Sequence, residues 1–455
     1  MLAALTAAED GDCRVVLFEK QSRVGKKLLA TGNGRCNLTN TGALSERDCG
    51  STGEKRNGAG GPGLAAPGSA LLHYHGNAPD FALPALRAFP PEKVLSRFRS
   101  LGLICTEQYG GRVYPLSDTA GSVLDVLRFA LDSAGVELHT GEPVAGIEQK
   151  GGRFLLRTER QEETGDHAGT EASSGIRKGH ARTYTYIVDR VIVACGGPAG
   201  GKNGGCGDGY ALLKALGHHC TKLYPALVPI RTDTDYPRSL KGVRADAALR
   251  LFTGSGPDPA GAPAAVGTGE LQFVEKGISG PAAFDISREA SVHGGTVCMD
   301  FLRTLSEEEV LALLRARRSR SPELELSALF TGLLHSRLGT VIVKAAGFRP
   351  SALIGSLTDA ELTALARTAK HFVLRVTGTD SFDAAQITVG GMDTDEFDPG
   401  TMESRLVPGL YACGEVLDID ADCGGFNLQW AWASGCLAGH LGRAGAKTSG
   451  GNEET

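Results

Sequence analysis

The sequence predicts a discontinuous α/β fold, and three observations carry that reading. Short buried strands alternate with helices at both ends of the 455-residue chain. Between them lies a turn-rich, strand-like stretch followed by a helical one. The outer strands end in glycine-rich clusters, where an open α/β sheet holds its ligands. The economical arrangement is a three-layer α/β domain formed by residues 1–222 and 376–443. A β-rich domain at 223–303 and a small helical domain at 304–375 interrupt it. Residues 42–70 and 159–181, rich in Gly, Ser, Ala and charged residues without periodicity, are expected to be flexible inserts. The tail 444–455 is expected to be disordered.

The elements follow in order. Residues 2–9 read as a helix that Gly11 ends, and 14–18 as a buried strand with Glu19 at its end. Helical spacing recurs over 81–101 and 118–134, where Val123, Leu124, Leu127, Phe129 and Leu131 offer an apolar face. The segments "GRFLLRT" and "TYTYIVDRVIVACGG" alternate like strands on either side of the second insert. Residues 223–301 read as strands and turns, with alternation over Ala245–Phe252. Helices at 305–316 and 358–370 open on capping residues. Ser306 precedes Glu307, Glu308 and Glu309, and Thr358 precedes Asp359 and Glu361.

Three clusters carry the chemistry. In "EKQSRVGKKLLATGNGRCNLTN" the strand-end Glu19 is placed to accept from ribose hydroxyls. Gly25, Gly32 and Gly34 permit tight turns, while Lys20, Lys26, Lys27 and Arg35 supply positive charge. Cys36 lies among the amides Asn33, Asn37 and Asn40. In "RVIVACGGPAGGKNGGCGDGYALLKALGHH" a buried strand turns at Gly196 and Gly197, and a helix follows near Asp208. In "LYACGEVLDIDADCGGFNLQWAWASGCLAG" a strand ends in Gly414 and Glu415. Asp418, Asp420 and Asp422 follow, and then Gly424 and Gly425 open a helix containing Asn427, Leu428 and Gln429. The free N–H groups at that helix start would meet an electronegative ligand atom. A strand-end acid for ribose, glycines for pyrophosphate and a late helix N-terminus for a redox ring together describe a Rossmann-type domain holding FAD.

Composition excludes other classes. The net charge of -5 and pI of about 6.2 give no basic excess for nucleic acid. The 11 cysteines contain no C-x-x-C pair, which argues against a zinc site or a disulfide framework. The D-x-D-x-D run lacks the remainder of a calcium loop, so no metal is expected. No stretch approaches the ~20 apolar residues of a membrane span, and no basic leader is seen. A cytoplasmic protein with a small-molecule substrate is expected, without nucleic-acid or membrane partners. Its oligomeric state is not fixed.

The stretches "VVLFEKQSRVGKKLLATGNGRCNLTN", "EQYGGRVYPLSDTAGSVLDVL" and "GISGPAAFDISRE", with "ITVGGMDTDEFDPGTMESRLVPGLYACGEVLDIDADCGGFNLQWAWASGCLAG", closely resemble the YhiN/BaiN-like flavoprotein family. The resemblance implies FAD in a Rossmann domain, an inserted β-barrel-like domain and a small helical domain. It also implies an NAD(P)/FAD-dependent oxidoreductase. One branch of the family is linked to reduction of unsaturated bile-acid intermediates, and another bears the label aminoacetone oxidase. The family begins with a strand and a G-G-G-x-x-G-like loop before a helix like "MLAALTAAE". Met1 stands where the residue after the last loop glycine would stand. The expectation that goes with this is a start placed late, with weakened FAD binding.

NAD(P)H is expected as a transient electron donor to the flavin, which then reduces an organic acceptor. An oxidase and a non-catalytic flavin-binding protein are the alternatives. No catalytic acid or base is assigned. His218 and His219 read as a structural helix end. Cys36, Cys195, Cys413 and Cys423 read as small packing residues before redox thiols. Tyr114 reads as packing before proton donor, and Trp430 and Trp432 as core with satisfied N–H groups.

Overall fold

A computed structural model describes residues 1–11, 13–44, 72–161, 181–233, 235–253 and 261–442. The tail at 444–455 lies outside the described residues. So do the two expected inserts, apart from 42–44, 159–161 and 181. The chain divides into two compact units, Met1–Leu223 with Thr388–Thr455, and Tyr224–Ile387.

In the first unit, short apolar strands pair in parallel. Val16–Glu19 runs beside Glu137–Thr140, and Val191–Val193 beside Leu410–Ala412. An antiparallel meander follows through Val144–Lys150, Arg153–Gln161 and Ala181–Val188. The predicted helix at 81–101 divides into Leu83–Ala88 and Pro91–Ser100, because Pro90 and Pro91 have no N–H to continue the ladder. The helix Ala120–Ser133 buries Val123, Leu124, Leu127 and Leu131, but the predicted face is one residue too wide: Phe129 is exposed.

The helix Leu2–Glu9 packs along Phe426–Gly439. Small residues allow the approach. A Cβ on Gly439 would lie 2.6 Å from the Ala3 carbonyl oxygen and 2.7 Å from the Thr6 Cβ. Both tryptophans of the longer helix are buried with their N–H groups used. Trp430 donates to the Gly414 carbonyl and Trp432 to the Leu38 carbonyl.

The second unit contains a closed six-stranded barrel. Its order is Ile230–Thr232, Gly277–Ser279, Ala265–Val274, Arg244–Phe252, Gly295–Asp300 and Phe372–Thr379, which closes on the first strand. Alternate residues such as Leu249, Leu251, Leu271, Phe273, Val297 and Leu374 fill its core. The helix Pro281–His293 packs on the Ala265–Val274 strand, where Gly267 leaves room; a Cβ there would lie 2.1 Å from the Ala282 carbonyl oxygen. This helix lies within the strand-like stretch 223–301, where Gly280-Pro281 is a helix-start signal.

The helices Glu307–Arg320 and Asp359–Lys370 both begin in complete capping boxes, on Ser306 with Glu309 and on Thr358 with Glu361. Their apolar faces join the barrel residues in one continuous core. The sixth barrel strand, moreover, comes from beyond the helices. The barrel and these helices lie together in the compact unit Tyr224–Ile387. Lys370 joins them: its ammonium donates to Asp300 at 2.8 Å and to the carbonyls of Leu302 and Leu305.

Truncating Phe273, which is fully buried in the barrel, should cost about 3–5 kcal/mol. Ser306→Ala should cost only about 1 kcal/mol. Urea denaturation of both variants checks this ordering.

Candidate functional site

The site is assembled where the three glycine-rich clusters meet in the first unit. Glu415 joins them. It follows the Leu410–Ala412 strand, and its carboxylate accepts from the Lys27 ammonium at 2.5 Å. It also accepts from the backbone N–H of Gly197 at 3.0 Å and of Thr388 at 2.7 Å. One carboxylate thus holds the first cluster, through Lys27, to the second, through Gly197. The close approach needs glycine, since a Cβ on Gly197 would lie 2.4 Å from the Thr388 hydroxyl. Gly196 lines the same turn, and Gly414 donates its N–H to the Ser434 hydroxyl.

The other predicted residues divide by what their polar groups do. Glu19 closes the Val16–Glu19 strand and accepts the Gln21 N–H on Oε1. Glu19 and Cys413 both lie within electrostatic reach of Met1, at the start of the Leu2–Glu9 helix. Lys20 pairs with Asp208, Lys26 donates to Gln21, and Arg35 pairs with Asp118 while lying 4.2 Å over the Tyr114 ring. Gly25 caps the short helix Lys26–Ala30, and its missing Cβ makes room for Leu124. Gly32 and Gly34 shape the turn before Cys36 and Asn37; a Cβ on Gly32 would lie 2.7 Å from the Asn37 nitrogen. Burial pushes the thiols of Cys36 and Cys413 up to about 12, so neither is a thiolate at neutral pH.

The Phe426–Gly439 helix begins beside this turn. Asn40 donates to the Gly424 carbonyl, and the Thr39 hydroxyl donates to Gln429 Oε1. Gly425 has φ 104°, and a Cβ there would lie 2.4 Å from the Thr39 carbonyl oxygen. The Asn427 and Gln429 amides are engaged within the protein. The Asn427 amide bonds both backbone groups of Ala421, and Gln429 also donates to the Phe89 carbonyl. Leu428 is half-buried. Asp418 is buried and accepts from the Asn77 N–H.

This surface fits the FAD expected from the sequence. Asn37 Oδ1 is buried with no hydrogen-bond partner among the described residues, at the start of the Phe426–Gly439 helix. A buried amide oxygen of this kind is costly unless a ligand donor meets it. The first-turn N–H groups of that helix point out of it by construction. The backbone at Gly196, Gly414 and Gly424 is left without side chains. Glu19, Asn37, the glycine turns and the helix start are the groups that would hold FAD.

One constellation escaped sequence reading. Tyr74–His75 pairs antiparallel with Asp420–Ala421, so His73 stands opposite Asp422 and His75 stands on the same face. Asp422 Oδ2 meets His73 Nδ1 at 3.0 Å, and Oδ1 meets His75 Nε2 at 2.8 Å. The His73 ring stacks on Phe426, the first residue of the helix, at 4.2 Å. Burial raises the Asp422 carboxyl, but the two imidazoles outweigh it and hold it down at about 2. The sequence signal was the alternation His73-Tyr74-His75, which had no visible partner 347 residues away. His218 and His219 instead share Glu396, beyond the end of the Asp208–Ala215 helix.

A family model described as "HI0933-like protein Rossmann domain" matches residues 65–441. The chain belongs to this family. It is 34% identical over 445 residues to a Clostridium scindens protein named 3-dehydro-bile acid delta(4,6)-reductase, across 96% of this chain and 95% of that one. It is 26% identical over 422 residues to the Escherichia coli ribosomal RNA dihydrouridine synthase, across 92% and 90%. The Haemophilus influenzae protein of the same name is 24% identical over 426 residues, again across 92% and 90%. Membership brings with it the enzyme class, a flavin-dependent oxidoreductase of Rossmann-type fold. Among the described residues, no helix is long and apolar enough to cross a membrane, and no group of three or more His, Cys, Asp or Glu could hold a metal ion.

Glu415→Gln leaves Lys27 without its anion and sets an amide against the two N–H donors. The expected loss is about 2–3 kcal/mol in urea denaturation, with reduced flavin content. Asp422 gives a pH signature. Its folded carboxyl titrates at about 2, below the ordinary value of 3.8. The ionised form therefore stabilises the fold above about pH 4, and that contribution is lost as pH falls toward 2. The stability advantage of wild type over Asp422→Asn should be large near pH 5 and shrink through this window.

Proposed function

We propose that this chain is an NAD(P)H-driven, FAD-dependent reductase of a carbon–carbon double bond conjugated to a carbonyl in a small molecule. The observation that carries the reading is the 34% identity, over nearly the full length of both chains, to the bile-acid reductase. The dihydrouridine synthases support the same chemistry, since the uracil double bond that such enzymes saturate is also conjugated to a carbonyl. The net charge of -5 favours a small molecule over RNA, because this surface offers no excess of cations to phosphates. A cytoplasmic setting belongs to this reading.

The protein's part is placement. Bound FAD supplies two-electron transfer between the nicotinamide and the acceptor. Lys27, Glu415 and Gly197 fix the turns that would hold it, and the first-turn N–H groups of the Phe426–Gly439 helix would be available to it as donors. No dedicated nicotinamide loop is read in the sequence, and transient docking of NAD(P)H would not need one.

Anaerobic mixing tests this directly. NADH or NADPH should bleach the flavin absorption, and a 3-oxo-4,6-diene steroid should restore it. Rapid peroxide formation on exposure to air without an acceptor would instead make the chain an oxidase. A flavin that neither nicotinamide bleaches would sink the reading. Recovery with unmodified ribosomal RNA, and none with the steroid, would move the substrate to RNA.

A further inference from the structure

The His73–Asp422–His75 constellation has the form of a proton-delivering site. Asp422 uses one carboxylate oxygen on each imidazole, so it orients both rings. Each ring keeps a second nitrogen. Among the described residues, no hydrogen bond engages His73 Nε2 or His75 Nδ1. The side chains are about a third exposed, 32% for His73 and 29% for His75, so a ligand can reach them. Placement is rigid on three sides. The β ladder sets the register, the His73 ring lies on Phe426, and the Asn427 amide grips the backbone of Ala421 and Asp422. The other carboxylates of this segment, Asp418 and Asp420, are buried.

Position gives the chemistry. Phe426 is the first residue of the helix whose N-terminus meets the redox ring in the reading above. A conjugated carbonyl compound that accepts a hydride becomes an enolate, with negative charge on its oxygen. It needs an acidic N–H beside that oxygen, and one proton to become the saturated product.

We propose that His73 is the proton donor to the acceptor, that its Nε2–H first holds the enolate oxygen, and that Asp422 and His75 are the residues that position it. This inference rests on the proposed function for its acceptor class. The balance is complete. Two electrons and one hydrogen come from NAD(P)H by way of the flavin, which ends oxidised. The N–H bond of imidazolium breaks, and the proton joins the acceptor. Neutral His73 then regains a proton from water while Asp422 remains a carboxylate.

The experiment uses the full-length flavin-loaded chain and has two arms. In the first, pre-reduced protein is mixed with the 3-oxo-4,6-diene steroid. His73→Gln should bleach with NAD(P)H as fast as wild type but reoxidise about 100-fold or more slowly, within the range expected for a lost general acid. Asp422→Asn should be slowed as well. Free imidazole should restore part of the rate to His73→Ala, which a purely structural role would not allow. Reoxidation of His73→Gln within threefold of wild type would overturn the proposal. The second arm needs no turnover. Oxidised wild type should bind p-nitrophenol as its yellow anion at a lower pH than buffer alone yields it, and His73→Gln and Asp422→Asn should abolish that shift. A wild type that does not favour the anion would also overturn the proposal. If wild-type reduced flavin ignores the steroid, the proposed function fails, and the p-nitrophenol arm still decides the role of His73. Retained flavin absorption and a cooperative melting transition well above the assay temperature show that the variants fold.

Discussion

The Glu415 carboxylate is the constraint on which the site depends. Three segments far apart in sequence supply its donors: Lys27, Gly197 and Thr388. A half-buried carboxylate with one ammonium and two peptide N–H groups is well paired, and hydrogen bonds to a charged group are the stronger kind. Removing any donor leaves charge or backbone polarity unmet. The arrangement therefore fixes the relative position of the strand ends at Gly196 and Gly414, whose lack of side chains keeps backbone open to a ligand. A second tether, from Asn40 and Thr39 to Gly424 and Gln429, fixes the start of the Phe426–Gly439 helix against the first cluster. Between these two anchors the orphaned Asn37 oxygen is held in place.

The close packing of Leu2–Glu9 on Phe426–Gly439 extends the same logic. Backbone meets backbone at Gly439, so the longer helix has little freedom to slide. Its N-terminus stays aimed at the site because its far end is locked to another element. Trp430 and Trp432 brace the middle with satisfied N–H groups, which lets two large polar aromatics be buried near a site without taking part in its chemistry.

Much of this was legible in sequence because it is local. The capping boxes at Ser306 and Thr358, the strand ending at Glu19 and the buried face of Ala120–Ser133 all follow from spacing within a few residues. Pro281–His293 was missed because its small and polar residues lack a strong apolar stripe, and only Gly280-Pro281 announced it. The barrel's sixth strand could not be placed by pattern, since Phe372–Thr379 closes on Ile230–Thr232 about 150 residues earlier. The histidine pair was unreadable for the same reason. His73 and His75 acquire meaning only when the Asp420–Ala421 strand folds back beside them.

The cations of the first cluster show why residue type alone did not settle their roles. Lys20, Lys26, Lys27 and Arg35 suggested phosphate by their density, yet the fold gives them Asp208, Gln21, Glu415 and Asp118. Long cationic side chains find nearby anions whenever the topology offers them, and a paired cation has less charge to give a ligand. In the proposed reading, recognition of an anionic cofactor would fall to peptide N–H groups, which have no alternative partner at a helix start and need no rotamer to be fixed. Glycine marks where backbone must be exposed, whereas a charge marks only where some partner must be found.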